Sequence, residues 1–113
     1  MSGISTHVLD QTTGKPAVGV SVVLERKTRN AEWQRMGGAV TDADGRARDL
    51  TPAGDLLAGD HRMTFETGAY FLERNIESFY PEVTIAFTIS DAAQNYHVPL
   101  LLSPFGYSTY RGS

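Results

Sequence analysis

Val83-Thr84-Ile85-Ala86-Phe87-Thr88-Ile89 alternates without a break: Val83, Ile85, Phe87 and Ile89 fall on one side of an extended chain, Thr84, Ala86 and Thr88 on the other. A period of two rich in β-branched and aromatic residues predicts a half-buried β-strand. The pattern recurs in both directions along the chain. Ile4 to Leu9 alternates and then meets the turn-rich stretch Asp10 to Pro16. Val18 to Leu24 sets Val20, Val22 and Leu24 against Ser21, Val23 and Glu25, and His61 to Thr67 sets Met63 and Phe65 against Arg62, Thr64 and Glu66. Trp33 to Val40 is a weaker strand, interrupted by Gly37-Gly38. Asp44-Gly45 marks a tight reversal, because glycine accepts the positive φ it demands. Leu50 to Asp60, with Pro52, Gly54 and Gly59, reads as loop. Tyr96 to Leu102 and Tyr107 to Tyr110 close the chain as a pair around Ser103-Pro104-Phe105-Gly106. Only Ala69 to Arg74, opened by Thr67-Gly68, suits helix, about two turns of it. The expectation is an all-β chain, a β-sandwich of seven to eight short strands with one short helix.

The chain has 113 residues, 41% of them hydrophobic, with 10 Lys+Arg against 13 Asp+Glu. A length of this order buries roughly two-thirds of its unfolded surface, enough for one core and not two, so residues 1–113 read as a single domain. With no cysteine, disulfide scaffolds, thiolate zinc sites and cysteine nucleophiles drop out. The mildly acidic balance offers no basic stripe for nucleic acid. No stretch approaches the ~18 apolar residues of a membrane span, and residues 1–7 lack an export signal. A soluble, cytoplasmic protein is expected, with neither nucleic acid nor membrane as partner.

Gly-x-Ser-x-Gly, phosphate-binding and dinucleotide-binding glycine loops are all missing, so function has to come from strand residues. His7 lies mid-strand, sharing a face with Ser5 and Leu9, where an imidazole often serves structure alone. His97 interrupts the apolar run Tyr96, Val98, Leu100, Leu101, Leu102 and needs something to match it. His61, beside Asp60, reads as a solvated strand start. Arg46 after the Asp44-Gly45 turn reads locally as a solvated turn residue. No His-x-His or His-x₃-His spacing favours a metal, so no metal and no cofactor are expected.

Larger blocks resemble a known family. Thr6-His7-Val8-Leu9-Asp10 with Gly14-Lys15-Pro16-Ala17, Thr41-Asp42-Ala43-Asp44-Gly45-Arg46, Phe79-Tyr80-Pro81-Glu82-Val83, Tyr96-His97-Val98-Pro99 through Ser103-Pro104, and Gly106-Tyr107-Ser108-Thr109-Tyr110-Arg111-Gly112-Ser113 look like the transthyretin-related 5-hydroxyisourate hydrolases. The terminal Tyr110-Arg111-Gly112-Ser113 is the most specific element, since it marks the hydrolases and is lacking in the hormone-carrying transthyretins. The resemblance implies a transthyretin-like sandwich assembled as a homotetramer, a dimer of dimers, with active sites in the clefts between dimers. It implies hydrolysis of the small molecule 5-hydroxyisourate to 2-oxo-4-hydroxy-4-carboxy-5-ureidoimidazoline in urate degradation. Carried over by position, its catalytic residues are His7, Arg46, His97 and Ser113, with Tyr110, Arg111 and Gly112 joining them in substrate binding. Asn95 departs from the pattern, for many members carry a second histidine there. The competing reading is a transthyretin-type carrier of an apolar ligand, which has no need for paired histidines, an arginine and a hydrophilic tail; a purely structural sandwich leaves His97 unexplained.

Overall fold

Strands that turn valine, leucine and isoleucine to one side need a second apolar face to cover them, and the chain provides it by dividing its strands between two sheets. The computed structural model describes residues 3–48, 50–51 and 56–112. Its elements, in order, are β1 (Gly3–Asp10), β2 (Lys15–Pro16), β3 (Ser21–Lys27), β4 (Trp33–Val40), β5 (Arg46–Ala47), β6 (Gly59–Phe65), α1 (Thr67–Glu73), β7 (Val83–Ile89), β8 (Asn95–His97), β9 (Leu100–Ser103) and β10 (Gly106–Thr109). One sheet runs β4-β3-β6-β7 with every pairing antiparallel. The other is centred on β1. Strands β8 and β9 lie parallel along one edge of β1, the two-residue strands β2 and β5 pair with its other edge, and β10 closes the sheet outside β9.

The inward residues are those the alternation selects. Ile4, Val8, Val22, Leu24, Met63, Phe65, Val83, Ile89, Leu100 and Leu102 are essentially inaccessible to solvent and form one continuous core. A fully buried side chain of this kind contributes roughly 1.5–3 kcal/mol. Helix α1 adds Tyr70 and Phe71 to that core. It ends in a Schellman arrangement: Asn75, at φ 57°, sends its N–H to the Leu72 carbonyl and Ile76 sends its N–H to that of Phe71. The Tyr70 hydroxyl donates to the buried Asp10 carboxylate at 2.8 Å. Among the described residues no helix is long and apolar enough to cross a membrane.

Three expectations need revision. The predicted strand Tyr96 to Leu102 is two strands, because Val98-Pro99 lies between β8 and β9 and proline has no N–H for the ladder; the register against β1 continues unchanged across the gap. Gly37-Gly38 does not interrupt β4. Gly37 is instead where the Leu50 carbonyl passes over the strand, in space that a Cβ would occupy. His61 is not solvated: it faces inward, 1% exposed, its ring stacked on Phe87.

Candidate active site

Strand β1 alternates half-buried and buried along its length, so Ser5 and His7 turn to the outer face of their sheet while Ile4, Thr6 and Val8 turn to the core. Register then brings partners beside them. His7 pairs across to Arg46 of β5 on one edge, and Ser5 pairs to His97 of β8 on the other. Paired residues share a face, so His7, Arg46 and His97, remote in sequence, gather on one outward surface. All three are half-buried. Beneath them the Thr6 hydroxyl donates to the Val98 carbonyl at 2.6 Å, tying β1 to the segment joining β8 and β9.

Each imidazole has a defined partner. His7 Nε2 lies 2.8 Å from the Asp44 backbone carbonyl. That carbonyl comes from the turn 42–46, in which Asp42 accepts N–H bonds from Asp44 and Arg46 on its Oδ1 and Gly45 adopts φ 75°. A Cβ on Gly45 would sit 2.5 Å from the Val8 carbonyl oxygen, so glycine is required there for closeness as well as conformation. His97 Nδ1 lies 2.9 Å from the Ser5 hydroxyl. Burial holds the His97 imidazole below its ordinary pKa, helped by the positive field of Arg46 and by His7, while a hydrogen bond to the Ser5 backbone works the other way. His97 is therefore neutral around pH 7 with a cation beside it. Such a ring can take a proton from water, and the guanidinium can meet negative charge developing on an oxygen.

The chain beyond β10 runs back along β8. Gly112 forms an antiparallel bridge with His97, its N–H donating to the His97 carbonyl at 2.7 Å. A side chain at 112 would place Cβ only 2.6 Å from His97 Cδ2. Arg111 turns away from the histidines: its guanidinium donates to Gln94 at 2.9 Å and lies 4.6 Å from the Tyr96 ring centroid. Tyr110 is exposed and lines a shallow groove with Arg111, Ile85 and Phe87. Ser113 lies outside the described residues. His7, Arg46, His97 and Gly112 are thus brought together, whereas the side chains of Tyr110 and Arg111 anchor or border the tail. Asn95 is exposed on β8. Among the described residues, no group of three or more His, Cys, Asp or Glu is arranged to hold a metal ion.

Sequence reasoning missed two participants, Ser5 and the Asp42–Asp44 turn. The signal for Ser5 was its place two residues before His7 on the same face. For the turn it is Asp-x-Asp-Gly, whose local pattern signals a reversal and does not show what the Asp44 carbonyl meets.

In sequence and in fold the chain is similar to known proteins. The sequence profile of the HIUase/Transthyretin family matches residues 4–112. The 5-hydroxyisourate hydrolase of Salmonella dublin is 51% identical over 110 residues, covering 97% of this chain and 80% of the relative. Among solved structures, Klebsiella pneumoniae 5-hydroxyisourate hydrolase aligns with a TM-score of 0.85 at 42% identity, covering 99% of this chain and 100% of the other. Sea bream transthyretin in complex with thyroxine aligns with a TM-score of 0.91 at 30% identity, covering 96% and 93%.

Proposed function

The chain belongs to the HIUase/Transthyretin family, and from that premise we propose that it is a 5-hydroxyisourate hydrolase. The observation that carries the reading is the meeting of two imidazoles and a guanidinium, His7, His97 and Arg46, on one open sheet face. Opening a cyclic amide needs a deprotonated water, a stabilised oxyanion and a firm grip on a flat polar ring.

In the proposed reaction an imidazole takes a proton from water as its oxygen adds to the ring carbonyl carbon. Arg46 binds substrate oxygens and stabilises the negative charge that grows on the carbonyl oxygen. The C–N bond then breaks, the protonated imidazole returns its proton to the departing nitrogen, and the new carboxyl group appears in 2-oxo-4-hydroxy-4-carboxy-5-ureidoimidazoline. The depressed pKa of His97 supports it as the neutral base at pH 7. Ser113 fixes substrate or water through its hydroxyl. Tyr110, Arg111 and Gly112 position that tail; the engagement of Arg111 with Gln94 and Tyr96 supports such a role.

The same reading includes a homotetramer, a dimer of dimers with sites in the clefts between dimers. A site on an open face supports it, as do the exposed rings of Phe79, Phe105 and Tyr107. A carrier of an apolar ligand is the second reading, since the backbone superposes on a transthyretin as well as on a hydrolase. It leaves the paired histidines and Arg46 without a task. The deciding measurement is the ultraviolet decay of freshly generated 5-hydroxyisourate with and without protein. Marked acceleration is expected; decay at the spontaneous rate would overturn the hydrolase reading.

A further inference from the structure

The two histidines of the site are held in different ways. A backbone carbonyl has lone pairs and no proton, so it can only accept. At 2.8 Å from the Asp44 oxygen, His7 Nε2 must be the nitrogen that carries hydrogen. In the neutral ring the unshared pair then sits on Nδ1. The Ser5 hydroxyl beside His97 can donate or accept, so it imposes no such choice.

What aims the Asp44 carbonyl is the side chain of Asp42. Its Oδ1 accepts the N–H of Asp44 at 2.9 Å and that of Arg46 at 3.0 Å, closing an Asx-type turn, while the Asp42 carbonyl accepts the Gly45 N–H at 2.9 Å. The Gly45 carbonyl in turn accepts the Val8 N–H at 2.7 Å, fastening the turn to β1 one residue beyond His7. The carboxylate is held below its ordinary pKa, chiefly by the Arg46 N–H, so it is ionised throughout the neutral range.

We propose that Asp42 is a positioning residue: by folding the 42–46 turn it presents the Asp44 carbonyl to His7, locks the proton on Nε2, and leaves Nδ1 as the nitrogen that exchanges protons at the site. The kinetic consequence rests on the hydrolase reading; the tautomer does not. His7 offers one fixed nitrogen, whereas His97 can adjust its tautomer to the reaction.

The test uses the whole protein labelled with ¹⁵N. Two-bond proton–nitrogen correlation of the neutral imidazoles should give His7 a pyrrole-type Nε2 and a pyridine-type Nδ1. Asp42→Asn, which keeps the acceptor oxygen, should preserve that pattern and most of the turnover. Asp42→Ala should move both His7 nitrogens toward the averaged position and lower kcat by about 10- to 100-fold, with KM little altered. If the Ala variant does not fold, Asp42→Ser, with a shorter and weaker acceptor, should show the same changes in part. A His7 that carries its proton on Nδ1 would overturn the proposal, as would an Asp42→Ala protein matching the parent in nitrogen pattern and kcat. Should the protein prove to have no hydrolase activity, the kinetic arm falls with that reading, and the nitrogen spectrum, which needs no substrate, still decides the tautomer.

Discussion

Gly112→Ala tests whether the returning tail and the His97 ring form one packed unit. The added Cβ would lie 2.6 Å from His97 Cδ2, 3.3 Å from Cγ and 3.4 Å from its Cβ. Carbon atoms settle at ~3.5–4.0 Å, so ring or tail must yield by about 1 Å. Neither yields freely. The ring is held at Nδ1 by Ser5, and the tail by the Gly112 N–H on the His97 carbonyl. A misplacement of about 1 Å in a catalytic group costs on the order of 100-fold in rate, equivalent to about 2.7 kcal/mol of transition-state stabilisation. The bridge lies beyond the last strand and outside the core, so the thermal midpoint should hardly change. Initial rates of 5-hydroxyisourate decay, measured beside circular-dichroism melts, read both quantities. A folded Gly112→Ala protein with the parent's rate would refute the reasoning, because it would mean the ring position is irrelevant or the contact is readily relieved.

Replacing Arg46 or His97 with Ala should lower kcat by at least ~100-fold in a folded protein; steady-state kinetics with a near-normal kcat would remove the residue from the mechanism. Tyr70→Phe takes away a donor from the buried Asp10 carboxylate and should cost about 1–3 kcal/mol in urea unfolding. The Tyr70 hydroxyl, pushed up to about 12 mainly by burial, should remain protonated when ordinary tyrosines ionise, and the stability it confers should fade as pH rises from about 10 toward 12. His61 is held below its ordinary pKa, chiefly by burial and further by the charge of Arg26. Its unfolded form protonates near pH 6.5 while the folded form resists, so stability should decline as pH falls below about 6.5 toward the depressed value. His61→Phe should flatten that decline, and an unchanged slope in urea titrations at pH 7 and pH 5 would contradict it.

Much of the fold could be read from alternation because burial follows it residue by residue. Val83 to Ile89 and Trp33 to Val40 coincide with β7 and β4 as observed. Where a local rule met a tertiary fact, the local rule gave way. Gly37 looks like a strand breaker until the Leu50 carbonyl above it supplies the reason for a missing side chain. His61 beside Asp60 looks solvated, yet the pleat turns one outward and the other into the core. The candidate site follows the same logic. Arg46 is a turn residue by its neighbours and a partner of His7 only by register, and two-residue pairings such as β5 have too few side chains to leave a periodic trace. The resemblance to relatives pointed to His7, Arg46, His97 and the tail Tyr110 to Ser113 where composition could not, and the hydrogen bonds that tie His97 to Ser5 and His7 to the Asp44 carbonyl are visible only in three dimensions.

The parallel pairing of β8 and β9 with β1 has a consequence for biosynthesis. Ser5 and His97 touch across a separation of 92 residues, and the tail must then fold back over β8 before Gly112 can bridge to His97. Contacts between residues so distant in the chain make folding slow, since the loop-closure entropy is lost before they form. During translation β1 is made long before residues 95–103, and until these arrive one of its hydrogen-bonding edges is open. That unfilled edge is the stage at which a nascent chain is exposed to wrong strand partners. A chain that stops before residue 95 can therefore pair His7 with Arg46 but has no His97 to set beside Ser5, and it leaves one edge of β1 without a strand.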